Sequence, residues 1–124
     1  MKKPKKTFSN ASLFFSFLSA SRSAKGFAVL ATMDPVDERI LHELALHWKE
    51  DSPISVVQTM HEVSFVSTTT AHRRLKILRK MGMIDLMMDP ADNRIKHVIP
   101  TEKTMQYFDY LGQCVRDAQV QAPV

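Results

Sequence analysis

The spacing of hydrophobic residues predicts a mainly helical chain. Apolar positions from residue 36 to residue 78 recur every three or four residues, the period of an amphipathic helix. Asp34 and Pro35 predict the start of a first core helix, because Asp caps free amides and Pro at the first helical position loses no hydrogen bond. The residues predicted to face inward are Val36, Ile40, Leu41, Leu44 and Trp48.

Two more helices are predicted before residue 82. A break at Ser52 and Pro53 separates the first helix from a short second one, which Ser55 can cap. The residues of this second helix predicted to face inward are Val56, Val57 and Met60. After a brief connection, Ser67 opens a longer helix over residues 67–81, and Gly82 ends it.

Beyond Gly82 the period becomes alternating, which predicts a β-hairpin. One side of the first strand carries Ile84, Leu86 and Met88, residues 89–93 supply turn chemistry, and residues 95–99 form the return strand. Thr101 then caps a last helix, with Met105, Phe108, Leu111, Val115 and Ala118 predicted on one side. A short helix, a three- or four-residue turn, a Thr-rich basic helix and a hairpin predict a mainly α fold with a small β wing, a winged helix-turn-helix.

The segment before Asp34 has a pattern of its own. Wound as one helix over residues 13–33, it places an apolar seam at alternating spacings of four and three, at Leu13, Phe17, Ala20, Ala24, Phe27 and Ala31. The predicted organisation is a basic flexible tail (1–12), an N-terminal dimerisation helix (13–33), the winged helix-turn-helix domain (34–100), and a C-terminal dimerisation helix with a frayed end (101–124). A disordered N-terminal segment, or a natural start at Met33, are the alternatives.

The N-terminus imitates a signal peptide, because four lysines precede an apolar stretch. That stretch is short and interrupted by Ser16 and Ser19, and no apolar run approaches the roughly 18 residues of a membrane span. The single Cys114 excludes an intramolecular disulfide and suits a reducing compartment. We therefore expect a cytoplasmic protein without membrane attachment and a buried thiol, the alternative being a redox-sensing or dimer-bridging cysteine.

The positive charge of the chain is unevenly distributed. Residues 1–33 hold 6 Lys and Arg and no acid, whereas the rest holds 11 basic and 13 acidic residues. A slightly acidic body attracts nucleic acid only through cations gathered on one surface. Nucleic-acid binding therefore depends on whether the basic residues of the body cluster on one surface.

The basic residues of the body cluster on the helix predicted over residues 67–81. No acid occurs from residue 64 to residue 84, and the face opposite the Ala71, Leu75 and Leu78 stripe is basic. Small hydroxyl residues near the N-terminal end of this helix can approach base edges, while the longer basic side chains can reach phosphates or guanine. The predicted DNA contacts of this helix are Ser67, Thr69, Thr70, His72, Arg73, Lys76 and Lys80.

The helix from Ser67 ends at Gly82, and Asp92 and Arg94 in the wing are followed, after five intervening residues, by Pro100-Thr101. In these features residues 34–111 resemble the MarR-type (multiple antibiotic resistance) transcriptional regulators, which have Leu-Thr in place of Pro100-Thr101. The resemblance implies a homodimer on an inverted-repeat duplex DNA operator, with helix 67–81 in the major groove and wing 84–99 in the minor groove. Arg94 would enter the minor groove with Asp92 orienting it. The resemblance does not identify which residues of this chain would bind a small-molecule effector, or which effector that would be.

Other chemistry is not indicated. His42 and His47 stand five residues apart, not the four of a zinc-protease helix, so a shared metal is not expected. There is no phosphate-binding glycine loop or activated nucleophile, and we expect neither an enzyme nor a cofactor. The alternative to a DNA-binding regulator is a winged-helix module that binds another protein.

Overall fold

The computed structural model describes residues 9–22 and 33–121. Five helices and one hairpin occur in these residues: α1 (Ser9–Ser21), α2 (Pro35–Lys49), α3 (Val56–Glu62), α4 (Thr68–Lys80), β1 (Ile84–Met88), β2 (Lys96–Pro100) and α5 (Glu102–Gln121). The chain divides into two compact units, Thr32–Met105 and the terminal segments Met1–Ala31 with Gln106–Val124. The predicted fold class, mainly helical with a two-stranded wing, is confirmed.

Helix α2 forms as its start signal predicts. The carboxylate of Asp34 accepts a hydrogen bond from the Val36 amide at 2.7 Å, with Pro35 in the first turn. Ile40, Leu41 and Leu44 are fully buried. The predicted apolar face of the first core helix is therefore correct at its centre.

Helix α3 is rotated relative to its predicted orientation. Ser55 caps it by accepting from the Gln58 amide at 3.0 Å, but Val57, predicted to face inward, is 65% exposed. Thr59 is buried in its place, and its hydroxyl donates to the Ser55 carbonyl at 2.8 Å. Because this bond satisfies the hydroxyl, burying a threonine costs little here.

The hairpin pairs β1 with β2 antiparallel, from Ile84 opposite Pro100 to Met88 opposite Lys96. The return strand begins one residue later than predicted, because Ile95 closes the turn: its carbonyl accepts from the Asp89 amide and its amide donates to the Asp92 carbonyl. Of the alternating positions in β1, Ile84 is buried and Met88 is 58% exposed. Only the base of the wing contributes to the core.

Strand β2 is attached to the segment between α2 and α3. The Val98 amide donates to the Ile54 carbonyl at 2.8 Å, and the Trp48 indole donates to the Val98 carbonyl at 3.0 Å. Ile54 and Val98 are both buried. These bonds link the base of the wing to the helix-turn-helix.

The buried side of α5 agrees with the prediction at Ala118 but not at Met105 or Val115. Thr104, Tyr107, Cys114 and Ala118 are buried, whereas Met105 and Val115, predicted to face inward, are about half exposed. The two sets differ by one position along most of the helix, and a rotation of about 100° exchanges them. Periodicity could not separate two neighbouring faces that both carry apolar residues. The Cys114 thiol is buried, as expected.

The N-terminal helix begins four residues earlier than predicted, at Ser9, so residues 9–12 belong to a helix and not to a tail. It ends at Ser21, whose hydroxyl donates to the Leu18 carbonyl at 3.0 Å. The Tyr110 hydroxyl of α5 donates to the Ser21 carbonyl at 3.2 Å. Residues 23–32, which include the second half of the predicted seam, lie outside the described residues.

Candidate nucleic-acid interface

Helix α4 carries the candidate interface. Ser67 caps it by accepting from the Thr70 amide at 3.1 Å. Ala71, Leu75 and Leu78 are buried, as the sequence predicts, and they attach the helix to the core. Docking along this narrow stripe leaves the opposite face in solvent.

The solvent face is basic and available for binding. Thr69, His72, Arg73, Lys76 and Lys80 are all exposed. Arg73, Lys76 and Lys80 make no ion pair with any residue in the described part of the chain. No ion pair among the described residues would have to be broken before these cations met a phosphate or a base.

Two of the predicted contact residues already have a structural role. The Ser67 hydroxyl donates to the Thr70 hydroxyl at 3.0 Å while it accepts from the Thr70 amide. Thr70 is also half-buried. The geometry therefore assigns these two hydroxyls to the helix start, so Thr69 is the predicted hydroxyl that is exposed without that role.

Arg74, which helical geometry places at the edge of the basic face, points into the protein. Its guanidinium donates two hydrogen bonds to the carboxylate of Asp37, at 2.6 and 2.5 Å, and lies 3.7 Å from Asp34. Asp37 is buried. The hydrogen bond that Arg74 donates to Asp37 raises the pKa of Arg74, against the opposing effect of burial. This pair joins the first turn of α2 to the middle of α4, and sequence reasoning missed it.

The wing tip presents a second exposed cation. The guanidinium of Arg94 donates to both carboxylate oxygens of Asp92 at 3.0 Å, and the Arg94 amide donates to the same carboxylate at 3.1 Å. These bonds lower the pKa of Asp92, first through the side chain of Arg94 and then through its amide. The Arg94 side chain is 86% exposed, so it faces solvent. Its two hydrogen bonds to Asp92 hold it in one orientation there.

The turn that carries Arg94 is organised by Asp89. Its carboxylate accepts from the amides of Ala91 and Asp92, at 2.8 and 3.0 Å, and lies 2.8 Å from Nε2 of His97. Nδ1 of His97 is buried without a hydrogen-bond partner in the described residues. A proton there would be unsatisfied, whereas Nε2 lies within hydrogen-bond distance of the Asp89 carboxylate, so Nε2 is the nitrogen that donates to Asp89. Sequence reasoning treated Asp89 only as a turn residue.

A pH dependence follows from this turn. The hydrogen bond from His97, followed by those from the Ala91 and Asp92 amides, lowers the pKa of Asp89. The carboxylate therefore stabilises the folded protein above its unfolded pKa of about 3.9, and that contribution is lost as the pH falls through the lower folded pKa. We expect wild type to be more stable than Asp89→Asn near neutral pH and the difference to shrink in acid. Urea titrations from about pH 6 to about pH 2.5 measure it. A difference that is constant over this range would contradict the assignment.

A groove of about 460 Å³ separates α4 from the wing. Its floor is largely apolar and includes Leu75, Ile84 and Val98. Basic side chains line it from both sides, with His72, Lys76 and Arg79 from α4 and Arg94 and Lys96 from the hairpin. Arg79 lies 3.8 Å from Asp85, and both side chains are exposed. Because water screens such a pair, Asp85 offsets the positive charge of Arg79 only weakly. The helix and the wing thus form one positively charged surface.

Within the described residues, no three His, Cys, Asp or Glu side chains converge to hold a metal ion. Nε2 of His47 instead bonds the carboxylate of Glu62 and so links α2 to α3. In the same residues, no helix combines the length and hydrophobicity of a membrane span.

The fold and the site define a winged helix-turn-helix protein with an exposed basic helix beside a basic wing tip. It is the fold of MarR-like transcriptional regulators, as the sequence resemblance indicated. Two solved structures from Thermotoga maritima are similar: the transcriptional regulator Tm0710 (TM-score 0.66, 17% identity, 90% of this chain and 72% of that one) and the MarR-like regulator tm0816 (0.66, 19%, 90% and 75%). The regulator BldR of Sulfolobus solfataricus is a third (0.51, 18%, 93% and 75%). No family model matches the sequence, and no curated protein does.

Proposed function

We propose that this protein is a cytoplasmic, non-enzymatic transcriptional regulator of MarR type that binds duplex DNA sequence-specifically. Helix α4 lies in the major groove, and the wing lies in the adjacent minor groove. The observation that carries the proposal is the solvent face of α4, where Arg73, Lys76 and Lys80 are exposed and free of ion pairs with described residues. Cations kept unpaired on a helix that is docked by its opposite side are suited to an anionic surface.

The wing supports the same function. A guanidinium in the narrow minor groove of A·T-rich DNA meets a strongly negative potential. The two bonds from Arg94 to Asp92 orient the side chain before DNA is bound, so less conformational entropy is lost on binding. The groove between α4 and the wing is lined by cations and suits a phosphate strand that passes between the two DNA grooves.

We further propose that the protein acts as a homodimer on an inverted repeat. α1 exposes Phe14 and Phe15, which are 56% and 65% accessible, and α5 exposes Val115. Large apolar side chains exposed on both α1 and α5 support a self-complementary interface. We expect light scattering to give twice the 14.2 kDa chain mass, and a reduced mass for Phe15→Ser combined with Val115→Ser. A wild-type mass of one chain at concentrations that saturate DNA would contradict the dimer.

Selection from random duplex DNA with the full-length protein, followed by sequencing, tests the function. We expect an enriched inverted repeat with half-site centres about 10 base pairs apart, bound about 10³-fold or more tightly than unrelated duplex. The matched control is Arg73→Ala combined with Arg94→Ala, which removes one exposed cation from each element. Wild type that enriches no motif, even at low salt, would overturn the proposal and point to a protein partner for the same basic face.

A further inference from the structure

A capping motif ends α4, and the carbonyls that follow it are bonded by residues outside this helix. Gly82 has a φ of +79°, a left-handed conformation that glycine adopts without strain. Its amide donates to the Arg79 carbonyl at 3.0 Å, and the Met83 amide donates to the Leu78 carbonyl at 2.9 Å. This pair of bonds is a Schellman motif, and it ends the helix abruptly. The carbonyls of Met81, Gly82 and Met83 remain for other partners.

The first turn of α5 supplies those partners. The Lys103 ammonium donates to the Met81 carbonyl at 2.8 Å, the Thr101 hydroxyl donates to the Gly82 carbonyl at 2.6 Å, and the Thr104 hydroxyl donates to the Met83 carbonyl. Three consecutive carbonyls thus receive three side-chain donors from four residues of sequence. We call Thr101, Lys103 and Thr104 the carbonyl clamp.

Capping of α5 does not require all three side chains of the clamp. Thr101 alone caps this helix, since its hydroxyl also accepts from the Thr104 amide at 3.2 Å. The side chains of Lys103 and Thr104 are directed instead to the exit of α4, and Thr104 is fully buried. A lysine at a helix C-terminus also interacts favourably with the negative end of the helix dipole. The clamp therefore constrains both the position and the axis of α4 at its exit.

We propose that the carbonyl clamp consists of positioning residues that set the orientation of α4 in the DNA groove. The inference rests on the proposed DNA-binding function. Hydrogen bonds to base edges require donor–acceptor distances within a few tenths of an ångström, whereas long cations follow phosphates over a wider range. A small tilt of α4 therefore weakens recognition of the specific sequence and leaves non-specific binding nearly unchanged. Because α5 continues from this first turn to Gln121, the helix that carries two clamp residues is also one proposed for dimerisation.

Two variants remove clamp donors, and each has a conservative partner. Thr104→Val keeps the shape and loses the donor, and Thr104→Ser keeps the hydroxyl. Lys103→Met loses the ammonium, and Lys103→Arg keeps a donor that can reach the same carbonyl. Lys49→Met on α2 is the control for the loss of one positive charge. All variants are compared at a temperature well below their unfolding midpoints, so that only folded protein is measured.

Affinity for the selected operator and for unrelated duplex is measured at one salt concentration. For Thr104→Val and Lys103→Met we expect the ratio of specific to non-specific affinity to fall about tenfold, the loss of roughly one base contact. We expect the Ser and Arg variants to restore it and Lys49→Met to leave it unchanged. Equal losses of specific and non-specific affinity, or an unchanged ratio, would overturn the positioning role.

Amide hydrogen exchange in the absence of DNA separates this inference from the proposed function. Thr104→Val should accelerate exchange at the Gly82 and Met83 amides about tenfold or more, and leave the amides of Ile40 and Leu44 in α2 unchanged. If wild type prefers no DNA sequence but this local acceleration occurs, the clamp holds the exit of α4 and the DNA-binding function is wrong. If exchange at the exit does not change, the clamp is wrong whatever the protein binds.

Discussion

Replacing Asp37 with alanine should lower the free energy of unfolding by about 3 kcal/mol, the cost of leaving a largely buried charge without its partner. The Arg74 side chain is only 15% exposed, and its two short hydrogen bonds end on Asp37. The remaining carboxylate, Asp34, lies 3.7 Å away and is too exposed to replace it. Urea denaturation at neutral pH measures the change.

Glu43→Ala is the matched control, because Glu43 is an acid of the same helix that makes no ion pair with described residues. We expect a change of roughly 0.5 kcal/mol or less for it. In Asp37→Leu combined with Arg74→Met, the two polar partners are replaced together, and we expect much of the lost stability to return. A loss below about 1 kcal/mol for Asp37→Ala would show that the pair does not hold α2 to α4.

Replacing Arg73 with alanine should weaken operator binding by about 1–3 kcal/mol, roughly tenfold to a hundredfold, and relax the sequence preference at one base pair of each half-site. Arg73 is exposed on α4 and has no ion pair among the described residues, so the substitution leaves the fold intact. Alanine is also the best helix former. Quantitative titrations of the operator and its single-base variants measure both effects.

Lys80→Ala provides the contrast. As a phosphate contact, it should weaken binding to all duplexes by a similar factor and reduce the slope of log affinity against log salt by about 1. Lys49→Ala removes the same charge from α2 and should change neither quantity. If Arg73→Ala and Lys80→Ala both bind the operator as wild type does, the solvent face of α4 is not the DNA-binding surface.

Local features of the site could be predicted from the sequence. The Asp92–Arg94 pair joins residues two apart, and both belong to the wing motif, so the prediction needed no knowledge of the rest of the fold. The buried stripe of α4 was also predicted correctly, because three of the four apolar residues in that helix share one face and the fourth, Ile77, lies off it. In both cases the informative neighbours lie within one or two helical turns or a single β-turn.

Features that depend on distant partners could not be predicted. Arg74 belongs to the basic run of α4 by its angle, and only a carboxylate 37 positions earlier shows that it is structural. At the first turn of α5 the shifted face has a similar origin, because the Thr104 hydroxyl is buried where it meets the Met83 carbonyl. A polar residue becomes a core residue once a distant acceptor satisfies it, and hydrophobic periodicity carries no information about that acceptor.

Footprinting of the selected operator is the most direct test of the claim that α4 reads the major groove and the wing the minor groove. Methylation of guanine N7 reports the major groove, and hydroxyl-radical cleavage of the sugars reports the minor groove. We predict two symmetric sets of protections about one helical turn apart. Arg73→Ala should lose N7 protection within each half-site, and Arg94→Ala should lose the flanking minor-groove protection. Protections that both variants leave unchanged would contradict the account.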